Sequence, residues 1–239
     1  MLFRSCRLRA ESLRSQMAFS EQCRDCPRLA GFLETVRHEH PDYFARPVPP
    51  FGAETPALLI VGLAPGMHGA NRSGRPFTGD FAGILLHQTL HKFGFASAPV
   101  SAHRDDGLKL IDCRITNAVK CLPPQNKPET SEIRQCNRYL AEELNLLKKG
   151  TVILALGNIA HQAVLLATGE KRSAHPFAHG AQHALAGGWI LVDSYHCSRY
   201  NTQTRRLTAA MFEDVFSDIR KLIGKRADRK STRLNSSHT

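Results

Sequence analysis

Residues 57–80 read ALLIVGLAPGMHGANRSGRPFTGD. The first seven, ALLIVGL, form a continuous apolar run that carries a glycine near its end. This is the pattern of a strand buried on both faces, as in a parallel sheet. The next sixteen residues hold four glycines and two prolines, too many for a regular element. Asp80 then precedes a run, 81–93, whose Ile84, Leu85 and Leu90 are expected on the inner side of a helix. Strand, glycine-rich loop and helix together form the opening unit of an α/β sheet.

The same alternation continues downstream. Residues 111–119 read as a second strand. A proline-rich polar turn over 122–130 leads to a helix with Thr130 as its expected cap and Ile133, Tyr139, Leu140 and Leu144 at helical spacing. Residues 151–156 (TVILAL) give a third buried strand, with a helix opening at Gly157–Asn158 and running through Leu166. Residues 189–193 (WILVD) give a fourth strand, and 208–223 a final amphipathic helix. Repeated strand–helix units with right-handed crossovers predict a three-layer α/β/α sandwich. Ligands of such sheets bind at the carboxyl ends of the strands. Loops 64–80, 117–128, 157–160 and 194–207 are therefore expected to converge on one edge.

The formal net charge is +11 over 239 residues, but it sits mostly at the ends. The first sixteen residues carry +3 and residues 220–239 carry +6, which leaves the body nearly neutral. Total charge alone thus does not establish a nucleic-acid partner. Residues 1–16 are expected to be an upstream extension, 17–229 a single domain, and 230–239 (KSTRLNSSHT) a non-native tail. No apolar run reaches the length of a spanning helix, so no membrane partner is expected.

Seven cysteines in a chain with no secretory pattern favour metal ligation or free thiols over a disulfide framework. Cys23 and Cys26 form a C-x-x-C pair followed by Pro27. Cys121 and Cys136 lie about a hundred residues downstream, with fourteen residues between them. Four thiolates suit tetrahedral zinc or an iron–sulfur cluster.

The glycine-rich loop contains neither G-x-x-x-x-G-K-[ST] nor G-x-G-x-x-G. Its glycines allow close backbone approach to a flat ligand. Phe77 is either a ring laid over that ligand or a plug in the core. Asp80 is either a catalytic carboxylate or the N-cap of the following helix.

GLAPG…HGANRSGRPFTGD (from Gly62), ITNAVKC (from Ile115) and SYHCSRYNTQTRRLT (from Ser194) together resemble the uracil-DNA glycosylase superfamily. The likeness is nearest to its family 5, the B-type iron–sulfur enzymes, and spans about residues 23–212. It implies an α/β/α sandwich around a four-stranded, mainly parallel sheet. It also implies a [4Fe–4S] cluster on Cys23, Cys26, Cys121 and Cys136 that pins the N-terminal segment, with zinc as the alternative. Cys113 is expected in the core of its strand, and Cys6 and Cys197 match no ligand position.

The implied reaction is hydrolysis of the N-glycosidic bond of uracil and other deaminated bases in DNA, without strand cleavage. By this resemblance Phe77 stacks on the flipped base, Asn117 reads its edge, and His196 hydrogen-bonds its O2. Gly62, Ala64 and Gly66 line the pocket. Ala64 stands where other branches place a polar water-positioning residue, which leaves Asp80 as the candidate for that role. Gly66 replaces a usual alanine, and His196-Cys197-Ser198 replaces the usual H-[PV]-S. Arg199, Tyr200 and Asn201 fall where the superfamily inserts a wedge into DNA, with Tyr200 filling the vacated gap. Arg72, Arg75, Arg205 and Arg206 are expected on phosphates. The resemblance further implies a monomer acting at the nucleoid in the cytoplasm. The rival expectation is a non-catalytic relative, or one that traps DNA covalently through His196.

Overall fold

The computed structural model describes residues 19–235, and residues 1–16, Cys6 among them, lie outside that span. Its centre is a sheet of six strands in the order β1-β3-β2-β4-β6-β5. Four of them, β2 (Leu58–Gly62), β3 (Cys113–Asn117), β4 (Val152–Leu156) and β6 (Ile190–Ser194), run parallel. These are the four apolar runs expected from sequence, with their ends moved by a residue or two. The expectation of four strands is corrected by two antiparallel edges, β1 (Phe51–Gly52) and β5 (Gln182–Ala184). At two and three residues both are too short to announce themselves by periodicity.

Helices cover both faces. On one side α3 (Phe81–Lys92) and α7 (Ala209–Asn235) pack on Leu58 and Ile60 through Leu86, Leu90, Phe212 and Phe216. On the other, α4 (Thr130–Asn145) and α5 (Asn158–Thr168) cover Leu59 and Val61 with Leu140, Leu144, Ala163 and Val164. Successive residues of β2 thus feed opposite cores, which is why its apolar run has no alternation. A third cluster joins α1 (Pro27–Glu39), by Leu29, Leu33 and Val36, to Val119, Leu122 and Tyr139. The short α2 (Ala70–Ser73) lies within the glycine-rich loop, and α6 (Arg199–Gln203) follows β6.

Several local expectations are revised. Ile84 is 56% exposed; Gly83, Leu86, His87 and Leu90 form the inner stripe of α3 instead. Glu129, not Thr130, caps α4, in a reciprocal capping box with Glu132. The backbone of α7 continues to Asn235, into the stretch read as a tail. Among the described residues no helix is long and apolar enough to cross a membrane.

From β2 the chain passes to β3 on one side and then to β4 on the other, so β2 is the topological switch point. The parallel register sets Gly62, the last residue of β2, beside Asn117, the last of β3. The crevice above this pair is where a ligand is expected.

Candidate active site

A cleft of about 420 Å³ opens at that point, lined by Ala64, Gly66, Phe77, Asp80, Asn117 and His196 among others. Loops after three strands converge there, as the alternation required. Residues 157–160, the fourth loop expected to join them, do not line the cleft.

Asn117 is only 3% exposed, and its Oδ1 has no hydrogen-bond partner. An unpaired buried acceptor costs about 1–3 kcal/mol, so it marks a place where a donor is awaited. Gly62 makes this arrangement possible. A Cβ there would overlap Asn117 Oδ1 and stand 2.7 Å from the Phe77 ring. The glycine therefore admits the amide and the ring to the same space.

Phe77 has φ of +52°, a left-handed conformation unusual for a phenylalanine. Its carbonyl accepts a hydrogen bond from His87 Nε2 at 3.1 Å. Burial lowers the His87 pKa to about 4, so this ring is neutral, with its proton on Nε2 because a carbonyl only accepts. Gly83 permits the close approach, since a Cβ there would collide with the Phe77 carbonyl. His87 was not singled out from sequence; its place on the inner stripe of α3 was the available signal. The Phe77 ring faces His196, with centroids 5.9 Å apart and planes 29° from parallel. Phe77 thus both closes the core and lines the cleft.

Asp80 is the N-cap of α3, one of its two sequence readings, and it also lines the cleft. Its Oδ1 accepts the Gly83 N–H at 2.8 Å and caps α3. Its Oδ2 lies over the glycine-rich loop: a Cβ on Gly69 would overlap it, and one on Gly66 would stand 3.8 Å away. Burial raises the carboxyl pKa, while hydrogen bonds from the Gly83 and Ala82 amides oppose that rise. The desolvation counts against an ionised carboxylate. The helix N-terminus is the feature that favours one.

His196 follows β6, and burial lowers its pKa to about 4. The ring is therefore neutral near pH 7 and offers one N–H. Its backbone is held by Asn201, whose Nδ2 donates to the His196 carbonyl at 2.8 Å. One N–H of the Asn201 amide, a residue expected at the DNA, is thus engaged by its own loop. Cys197 is fully buried and packs in the same core cluster as Phe77.

Arg75 is also corrected. It is 4% exposed and pairs with Asp106 at 2.7 Å while also donating to Thr78 Oγ1, Ser101 Oγ and the Arg104 carbonyl. A guanidinium satisfied in this way is a brace for the loop, not a phosphate ligand. Arg72, Arg199, Arg205 and Arg206 are exposed, with Arg199 over the Phe81 ring at 5.1 Å and Arg206 over Tyr195 at 4.7 Å. Tyr200 is 71% exposed, at the start of α6. Asn126, in the turn before α4, also reaches the cleft, and no sequence pattern marked it.

Cys23, Cys26, Cys121 and Cys136 line a second, smaller pocket with Tyr139. Tyr139 Oη donates to Cys23 Sγ at 3.2 Å and the Lys120 N–H to Cys136 Sγ at 3.3 Å. Burial, then the charges of neighbouring cysteines, push the Cys26 thiol up to about 11 and raise Cys121 as well. Cys113 is buried in its strand, as expected.

The model of the Uracil DNA glycosylase superfamily matches residues 49–220. The type-5 uracil-DNA glycosylase of Thermus thermophilus is 48% identical over 207 residues, covering 84% of this chain and 94% of that protein. That of Mycobacterium leprae is 44% identical over 210 residues, covering 84% and 92%. That of Pyrobaculum aerophilum is 41% identical over 197 residues, covering 81% and 85%. A match over most of the chain, on a fold whose cleft gathers Phe77, Asp80, Asn117 and His196, places this protein in the uracil DNA glycosylase superfamily, within its type-5 family.

Proposed function

We propose that this chain is a uracil-DNA glycosylase that removes uracil, and other deaminated bases, by hydrolysing the bond from base to deoxyribose. The observation that carries the reading is the unpaired Asn117 Oδ1 beside the Phe77 ring. An amide in this position accepts from uracil N3–H and donates to O4, while the ring covers the base face. Gly66 leaves room beside Asp80, which suits a pocket that takes larger bases such as hypoxanthine.

The base must first leave the stack, at a cost of a few kcal/mol. Tyr200, exposed beside the cleft, is placed to fill the gap, with Arg72, Arg199, Arg205 and Arg206 on phosphates. As the glycosidic bond breaks, the electron pair goes to the base and positive charge grows on the sugar. His196, neutral, donates its N–H to the base O2 as that oxygen becomes anionic. Asp80 in its ionised form orients water toward C1′ and faces the cationic sugar. The water oxygen bonds to C1′, and its proton leaves to the carboxylate or solvent. Among the described residues no lysine lines the cleft, which supports an abasic product with an intact strand.

The four cysteines suit a [4Fe–4S] cluster, which would act as a structural staple and take no electron in the hydrolysis. Around a single zinc, sulfurs about 2.3 Å from the metal would lie within about 4 Å of one another. Four thiolates from one pocket can hold either group, and metal analysis of the purified chain separates them. The N–H and O–H donors to Cys136 and Cys23 suit cluster thiolates.

The test uses end-labelled duplexes with one U·G pair, one hypoxanthine·T pair or normal pairs, incubated with the protein in EDTA. Cleavage only after hot alkali is the expected result, and the hypoxanthine lane reports breadth. Intact strands at both lesions, with the full metal complement present, would overturn the proposal.

A further inference from the structure

We infer that His161, His183 and Asp193 form a binding site for one divalent transition-metal ion of the zinc class, separate from the four-cysteine pocket. Asp193, in β6, has a side chain with no exposed surface, yet carries a carboxylate. Each carboxylate oxygen faces an imidazole nitrogen: Oδ1 lies 2.7 Å from His161 Nδ1, and Oδ2 lies 3.1 Å from His183 Nε2. The ligand atoms of all three residues fall within 4.8 Å of one another. The two rings converge rather than stack, with centroids 5.5 Å apart and planes at 68°.

Hydrogen-bond accounting shows that the cluster wants a cation. His161 Nε2 lies 2.9 Å from the His175 carbonyl. A carbonyl only accepts, so Nε2 carries a proton. In a neutral His161 the Nδ1 lone pair then points directly at a carboxylate oxygen. Two lone pairs at that separation need positive charge between them, either a proton or a metal. The bond from Nε2–H to a backbone carbonyl is the one by which metal-bound imidazoles are oriented. Two imidazole nitrogens and a carboxylate form a three-ligand zinc set, with a fourth position for water. His183 lies on the edge strand β5 with 10% of its side chain exposed, which gives an ion an entry path.

The ligands come from α5, β5 and β6, so an ion there ties the polar edge strand to the central sheet. Asp193 also lies three residues before His196, so the ion would anchor the root of the loop carrying the catalytic ring. Binding displaces the His161 Nδ1 proton, and its role is structural.

The test takes the full chain with its cysteine pocket loaded, measures zinc and iron per chain, and locates zinc in crystals by anomalous scattering. The expected result is one zinc per chain with its peak among these three side chains. His183→Ala and His161→Gln should each lose that zinc while iron content is unchanged, and the rise in Tm on adding zinc should vanish. A folded wild-type protein with no peak at the three side chains in millimolar zinc would show a proton-held cluster and overturn the inference. Zinc found only at the cysteines would overturn it equally.

Discussion

Asp80 caps α3 through Oδ1, and the water-orienting role proposed for it can be tested apart from that cap. Asparagine ranks with aspartate as an N-cap, so Asp80→Asn keeps the cap of α3 through its amide oxygen. Burial raises the Asp80 pKa in the folded state. A raised carboxyl favours folding at pH below its unfolded value and opposes it once the pH passes the folded value. The variant should therefore keep or raise Tm at neutral pH, while uracil release slows by about 10²–10⁴. Single-turnover rates and melting curves on one preparation check this; a lower Tm at an unchanged rate would refute it. His196 has the opposite sign. Its folded value of about 4 lies below the ordinary 6.5, so its stabilising contribution is complete above 6.5 and is lost as the pH falls through 4. The pH–rate profile should accordingly show no limb near 6.5, and its acid limb should lie above the ordinary carboxylate range because Asp80 sets it. Gly62→Ala places a methyl against Asn117 and Phe77 and should abolish base binding in a folded protein, as a fluorescence titration with a uracil duplex would report against an abasic-site duplex as control. The role of Gly62 rests on a neighbour 55 residues away, so spacing marked the glycine but not what it makes room for.

At the scale of elements, two arginines three residues apart in the glycine-rich loop should behave differently. Arg75→Ala leaves Asp106 without its partner, and breaking a buried pair of this kind costs about 3–5 kcal/mol. Arg72→Ala should leave Tm unchanged, weaken DNA binding and reduce the slope of log K against log salt by about one. Thermal melts and binding at several salt concentrations decide between these outcomes. Both residues read alike in sequence as basic loop positions. They part company because Asp106 and Ser101, from a distant loop, close around Arg75. The Asn201 amide also has a partner that spacing could not show, the His196 carbonyl. Ile84 shows a different limit. Apolar character alone placed it inward, but the angular positions of Gly83, Leu86 and Leu90 define the buried stripe and leave Ile84 facing out.

For the whole molecule, the cysteine pocket joins α1 to the end of β3 and to α4, elements otherwise linked by the third apolar cluster. If a cluster binds the folded chain alone, its removal lowers stability by mass action. Cys136→Ser should lose iron and the associated absorption near 400 nm, and should melt lower, with the Tm of the serine variant matching that of the iron-depleted wild type. Equal melting of the loaded and depleted wild type would remove the structural role.

The sequence by itself determined the parallel sheet, its helical layers and the loops that build the cleft, because doubly buried strands and amphipathic helices write their burial into local periodicity. It also determined the family, through motifs whose spacing survives in one dimension. Only the tertiary structure decided which polar side chains are spent on the fold and which remain for a ligand. Arg75 and Asn201 find partners, Asn117 Oδ1 does not, and His161, His183 and Asp193 meet across three elements. Hydrogen-bond satisfaction is a property of neighbours in space, and periodicity along the chain carries no record of it.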